Sequence, residues 1–193
     1  MIYLFSGTPG SGKSYHAVVN IKSWLRRQKL VIANFPINYK GAEFVCLDND
    51  EITVDYLVDF AKEYHEPNKE GQTLIVLDEA QLIFNSRNWN SQASNRMDWI
   101  KFFSQHRKLG FTIILIAQFD RMIDRQIRCL VEYEVAHLKV NNYFRILPFS
   151  AFLAVHRWYG QRMKISSEII LYRKGIAKLY DTFAMFDGSA GTQ

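Results

Sequence analysis

The chain has 193 residues, 48% of them apolar and 22% charged, which excludes disordered, collagen-like and low-complexity classes. That length suits one domain with a core large enough to need no disulfide or metal staple. The net charge of +5 is uneven: residues 1–100 hold 10 Lys and Arg against 12 Asp and Glu, and residues 101–193 hold 14 against 7.

Taken in chain order, Ile2–Phe5 is a short apolar run and reads as a buried strand. From Lys13 the pattern turns helical, with Ala17, Val18, Ile21, Trp24 and Leu25 on one face. Leu30–Ala33 is a second buried strand, stopped by Asn34 and Pro36. Val54, Leu57, Val58, Ala61 and Tyr64 make an amphipathic helix that Thr53 can cap, with Pro67 just past its end. Thr73–Leu77 is a third strand. Asn85–Gln92 reads as a polar loop spiked with Arg87 and Trp89, which could grip a strand of nucleic acid by stacking or simply pack the loop. Asn95 is placed to cap a helix carrying Trp99, Ile100, Phe103 and His106, with Gly110 as its stop. Phe111–Ala117 is a fourth strand, continuous in Ile and Leu as parallel strands are.

That alternation predicts a parallel sheet with crossover helices on both faces. Beyond it, Val131–His137 alternates, Asn141-Asn142 reads as a turn, and Phe144–Leu147 could return as a hairpin. Phe152–Trp158 and Glu168–Tyr172 are further strand candidates, so an antiparallel extension of the same sheet is expected. Residues 1–182 form one domain in this reading, and 183–193, rich in Gly, Ser, Ala and Thr, form a loose tail.

Cys46 and Cys129 make no CxxC pair and are expected as buried, reduced thiols. His16, His65, His106, His137 and His156 have no metal-ligand spacing and are expected as unpaired surface residues. No run reaches the ~18 apolar residues of a membrane span, since Ile146–Val155 is broken by Pro148 and Ser150. Residues Met1–Phe5 carry no basic leader region, and a cytosolic chain is expected.

Gly7-Thr8-Pro9-Gly10-Ser11-Gly12-Lys13-Ser14 fits G-x-x-x-x-G-K-[ST] at every fixed position, with a strand before it and a helix from Lys13, where Tyr15 follows. Glycines let such a loop wrap closely and turn its N–H groups inward, and the helix start adds its positive dipole end. Lys13 then reaches the β- and γ-phosphates of ATP, and the Ser14 hydroxyl ligates Mg²⁺. The strand Leu74–Leu77 delivers Asp78 to the sheet's C-terminal edge to hold the Mg²⁺ through a water. Glu79 is placed to polarise the attacking water as general base, and the Asp-Glu pair favours an ATPase over a kinase. Gln118 directly follows a strand, where it could contact the γ-phosphate or bond a neighbouring loop. Arg107, Arg125 and Arg128 are the candidate transition-state cations, Arg107 foremost, each with a surface ion pair as its plain alternative. Tyr143, Arg145, Arg157, Trp158, Tyr159, Arg162 and Lys164 interleave bases with aromatics, as single-strand binders do and as core aromatics beside a solvated face also do.

The chain resembles the zonula occludens toxin (Zot) domain family, which includes the cytoplasmic domain of the filamentous-phage assembly ATPase, gene I protein. The resemblance rests on Gly7–Ser14, Val31–Pro36 (VIANFP), Leu77–Gln81 (LDEAQ), Gln105–Gly110 (QHRKLG), Ile116–Gln118 followed by Ile127-Arg128, and Leu179–Thr182 (LYDT). It implies an α/β P-loop NTPase of the additional-strand, RecA-like type, with a mostly parallel sheet and an antiparallel C-terminal extension. It further implies an ATP-driven, Mg²⁺-dependent motor working as a homo-oligomeric ring at the cytoplasmic face of the host inner membrane. Such a motor extrudes a single-stranded DNA phage as coat subunits are added, and Arg107 would be a sensor or act across a subunit interface. Lys108 stands where relatives often carry a second His. Family members continue from LYDT into a transmembrane helix, whereas this chain ends at Gln193 without an apolar span. The chain itself is therefore expected to be soluble, as a whole protein or as an excised domain, with membrane association implied by resemblance alone. Three other readings remain: a nucleotide-dependent assembly module with little hydrolysis, a DNA-pumping ATPase of another system, and a small-molecule P-loop kinase.

Overall fold

The structure, a computed structural model, describes residues 1–39, 44–85, 93–140, 151–161 and 163–180. One eight-stranded sheet carries the fold: β1 (Ile2–Ser6), β2 (Leu30–Ala33), β3 (Phe44–Cys46), β4 (Thr73–Leu77), β5 (Phe111–Ile116), β6 (Tyr133–Val140), β7 (Ala151–Trp158) and β8 (Lys164–Leu171). Its spatial order is β3-β2-β4-β5-β1-β6-β7-β8. Strands β1 to β6 pair in parallel, and β7 and β8 add antiparallel to β6. β5 thus lies between β1 and β4, so the loops after β1, β5 and β4 open at one edge.

The helices α1 (Lys13–Arg26), α2 (Val54–Tyr64), α3 (Ala93–Gln105), α4 (Arg125–Arg128) and α5 (Lys174–Ala177) complete the chain. The continuous apolar strands divide with period two between two cores. Ile75, Leu77, Ile113 and Leu115 pack toward Leu57 and Phe60 of α2 and Trp99 and Phe103 of α3. Their neighbours Leu74, Val76, Ile114 and Ile116 pack toward Ala17, Val18 and Ile21 of α1. Helices on both faces follow because each face of such a sheet is apolar and must be covered.

Thr53 caps α2 as expected, its Oγ1 accepting the Tyr56 N–H at 3.2 Å. Other expectations change. Helix α3 begins at Ala93, so Asn95 lies within its first turn instead of capping it. Strand β3 was not foreseen, because three residues are too few to show a period. The partner of β6 is β7, in register from Tyr133↔Trp158 to Val140↔Ala151, and its other edge is taken by β1. Asn141-Asn142 and Phe144–Leu147 lie outside the described residues, as do 183–193. Strand β8 starts at Lys164, four residues before the apolar run that suggested it, because its first half is an exposed edge. Both cysteines are exposed, contrary to the burial expected of free thiols: Cys46 ends the edge strand β3 and Cys129 follows α4.

Candidate functional site

Residues 7–12 turn between β1 and α1. Gly7 (φ +143°) and Gly12 (φ +94°) both hold positive φ, and a Cβ would lie 2.5 Å from the His137 carbonyl oxygen at the first and 2.5 Å from the Phe152 ring at the second. Neither place admits a side chain. The Ser11 N–H donates to Thr8 O at 3.1 Å, and α1's first bond runs from His16 N–H to Gly12 O at 2.9 Å. The amides of Lys13, Ser14 and Tyr15 precede that bond and have no intrahelical acceptor, and Gly12 supplies no side-chain cap. Lys13 Nζ donates to Gly7 O at 2.8 Å and Thr8 O at 3.2 Å, which holds the ammonium against the loop. Burial pushes this ammonium below the ordinary lysine range, and Asp78 and Glu79 oppose the shift in part. Ser11 Oγ is buried with no hydrogen-bond partner among the described residues. Free first-turn amides, a positive dipole end, a cation and an unspent hydroxyl all fit a phosphate group.

Asp78 directly follows β4 and is 4% exposed. Its Oδ2 accepts from Ser14 Oγ at 2.8 Å and from Tyr180 Oη at 3.1 Å, and its Oδ1 accepts the Glu79 N–H at 2.8 Å. Burial, with Asp78 next, drives the Tyr180 phenol well above its usual range, so it stays a donor. Asn34 grips the Asp78 backbone from the end of β2: its Oδ1 accepts the Asp78 N–H at 2.7 Å, and its Nδ2 donates to Asp78 O at 2.8 Å. The oxygens that could hold a metal here are those of Ser14 and Asp78, and no cluster of three or more His, Cys, Asp or Glu suited to a metal occurs among the described residues. That set fits Mg²⁺, a hard cation that keeps waters and completes its shell with phosphate oxygens.

Glu79 sits in the left-handed region (φ +47°, ψ +44°). A non-glycine residue there is uncommon, and such strain concentrates at functional sites. Its carboxylate accepts from the Gln81 side-chain amide. Gln118 follows β5, and its carbonyl accepts the Gly7 N–H at 3.3 Å, tying the middle strand to the start of the loop.

Arg107 is not brought to this site by its own chain. Arg107 pairs with Glu132 at the N-terminal ends of β1 and β6, the opposite end of the strands. Arg128 lies 3.6 Å from Asp120, and Arg125 is exposed on α4. Arg87, Trp89, Tyr143, Arg145 and Arg162 fall outside the described residues. Of the remaining aromatics, Trp158 packs on Tyr133 with ring centroids 4.8 Å apart, and Tyr159 Oη donates to Asp120 at 3.1 Å.

The histidines are not unpaired surface groups. His16 and His137 are 5% and 1% exposed, and His16 Nδ1 lies 2.9 Å from His137 Nε2. His137 Nδ1 reaches Ser6 O at 3.3 Å, and Glu168 Oε1 lies 3.3 Å from His16 Nε2 and 2.8 Å from His156 Nε2. This line ties the strand before the phosphate loop to α1, β6 and β8. His106 is buried too, with Nδ1 2.6 Å from Phe103 O, and His65 lies against Leu109 O and Thr73 Oγ1. The partnered residues Asn34, Gln81, Tyr180, His16 and His137 carried no motif signal. Asn34, Gln81 and Tyr180 do fall inside the segments VIANFP, LDEAQ and LYDT, but only as members of whole segments with no role of their own.

The family model described as Zonular occludens toxin (Zot) matches residues 1–184. The Gene 1 protein of Enterobacteria phage I2-2 is 32% identical over 146 residues, covering 69% of this chain and 39% of that protein. The chain therefore spans about two fifths of that relative's length. Among solved structures, the N-terminal domain of zonular occludens toxin from Neisseria meningitidis superposes with a TM-score of 0.58 at 21% identity, covering 93% of this chain and 98% of that one. The genome packaging NTPase B204 from Sulfolobus turreted icosahedral virus 2, solved in complex with AMPPCP, gives 0.53 at 15% identity, covering 87% and 95%. The fold is that of the P-loop NTPases. Among the described residues, no helix is long and apolar enough to cross a membrane.

Proposed function

The chain belongs to the Zonular occludens toxin (Zot) family, and from that premise we propose that it is the ATP-binding and ATP-hydrolysing motor domain of a filamentous-phage assembly machine. Its work is to drive extrusion of a single-stranded DNA phage through the host inner membrane, as part of a homo-oligomeric ring beside coat and assembly proteins. The observation that carries the reading is the meeting of Ser14, Lys13 and Asp78 at the start of α1, with Glu79 one residue further.

The first-turn amides of Lys13, Ser14 and Tyr15, with Gly7–Gly12, hold the phosphates of ATP. Lys13 exchanges its two carbonyl partners for the β- and γ-phosphate oxygens. Ser14 and Asp78 hold Mg²⁺, which neutralises charge developing on the phosphate oxygens. Glu79, released from Gln81, accepts a proton from the attacking water, a contribution of typically 10²–10⁴-fold. Gln118 stands at the γ-phosphate edge to orient that water. Arg107, turned away from its own loop, serves the site of a neighbouring subunit.

A second reading is favoured by one observation: both carboxylates are occupied, Asp78 by Tyr180 and Glu79 by Gln81. On that reading the domain binds ATP to fix an assembly interface and hydrolyses little. Steady-state turnover decides between them. A motor shows turnover that rises with protein concentration and with added single-stranded DNA. Bound ATP with flat, minimal turnover under both conditions supports the assembly module instead.

A further inference from the structure

The phosphate loop continues into a second concavity that the phosphate chemistry does not use. A cavity of about 300 Å³ runs from Gly10, Gly12 and Ser14 past Tyr15 to Phe152, Tyr172, Ile176, Ala177 and Tyr180. The segment after β8 forms its far wall and is fastened there. Tyr15 Oη donates to Leu171 O at 3.1 Å and accepts the Arg173 N–H at 2.8 Å, and Leu179 O accepts the Asn38 N–H at 3.0 Å. The Tyr15 ring lies 5.8 Å from Phe152 and 5.5 Å from Tyr172.

We propose that this slot is the base subsite of the nucleotide, with Tyr172, Phe152 and Ile176 holding a purine by stacking and apolar contact. The inference rests on the reading of the loop as a nucleotide site. Phosphates gripped by the first-turn amides leave the nucleoside to extend past Tyr15, and the slot is the concave, aromatic surface that begins there. Every base has a π-face, so stacking is tolerant of base identity. Discrimination between bases needs a polar group that reads the base edge. Here the hydroxyls of Tyr15 and Tyr180 are spent on Leu171, Arg173 and Asp78, and the Tyr172 hydroxyl lies in the plane of the ring that stacks, clear of the base edge. Lys13 is the slot's charged side chain, and it belongs to the phosphates. The slot therefore accepts adenine and guanine alike.

The test measures equilibrium binding of ATP, GTP and inorganic tripolyphosphate, each with Mg²⁺, to the 193-residue chain. ATP and GTP are expected to bind within about threefold of one another, and both about tenfold or more tighter than tripolyphosphate, the scale of one stacked base. Tyr172→Ala is expected to lose that advantage for both nucleotides, to leave tripolyphosphate binding unchanged, and to be rescued by Tyr172→Phe. Unchanged tripolyphosphate binding also reports that the variant is folded. Unaltered ATP affinity in Tyr172→Ala would overturn the subsite, and a tenfold gap between ATP and GTP would overturn its tolerance. If tripolyphosphate and ATP bind no better to the wild type than to Lys13→Ala, the nucleotide site itself is wrong, a different failure.

Discussion

Asn34 holds both backbone polar groups of Asp78, the N–H at 2.7 Å and the C=O at 2.8 Å. Asn34→Leu leaves both unpaired beside a carboxylate that is 4% exposed. Each unsatisfied buried group costs ~1–3 kcal/mol, so a loss of about 2–5 kcal/mol in unfolding free energy is expected by urea titration. A shift under 0.5 kcal/mol would mean that water takes over both bonds. Tyr180 acts on the same carboxylate from the other end of the chain. Its hydroxyl shares Oδ2 with Ser14, so on the proposed function it would compete for an oxygen offered to Mg²⁺. A hydrogen bond to a charged group is worth ~1.5–3 kcal/mol. Tyr180→Phe is therefore expected to lower the Mg²⁺ concentration for half-maximal nucleotide binding by about tenfold or more. A rise in that concentration would instead make Tyr180 a support of the metal site.

At the scale of elements, the buried histidines join the start of α1 to β6 and the sheet extension. Burial lowers His137 from 6.5 to about 4, with the Ser6 and Val135 backbone opposing and Lys13 adding to the shift; burial also lowers His16 to about 3. Both are neutral in the fold, while an unfolded histidine takes a proton below about 6.5. The unfolded chain then binds more protons, so stability is held above pH 6.5 and lost as pH falls toward 4. Each such histidine contributes up to about 1.4 kcal/mol per pH unit in that window. Urea midpoints measured between pH 7 and pH 5 should fall, and His137→Gln should fall less steeply. Equal slopes would place the acid sensitivity elsewhere. None of this line was legible beforehand, because its members lie 121 residues apart, on a helix and a strand that meet only in the fold. The turn between β1 and α1 was legible, since its glycines and the first residues of the helix are consecutive. The alternation of elements was legible too, because long apolar strands and amphipathic helices report burial directly. Strand β3, three residues long, and the exposed first half of β8 carry no such pattern. Exposed Cys46 and Cys129 show a burial statistic overridden by their places at an edge strand and after a short helix.

In the whole molecule, β5 stands between the strand that precedes the Gly7–Gly12 turn and the strand that precedes Asp78, so the candidate site draws on three neighbouring strand ends. Arg107 faces the other end of the strands. On the proposed function, Arg107 of the same chain therefore supplies no cation at the transferred phosphoryl group. In the proposed ring, one subunit's Arg107 end would meet the next subunit's loop and complete the site. The proposed function stands on ATP hydrolysis at this site with Glu79 as the base. ATP binding and steady-state turnover of Glu79→Gln, measured beside the wild type, test it most directly. The variant should bind ATP as tightly as the wild type and lose turnover by about 100-fold or more. Turnover near the wild-type rate, with binding intact, would contradict the claim.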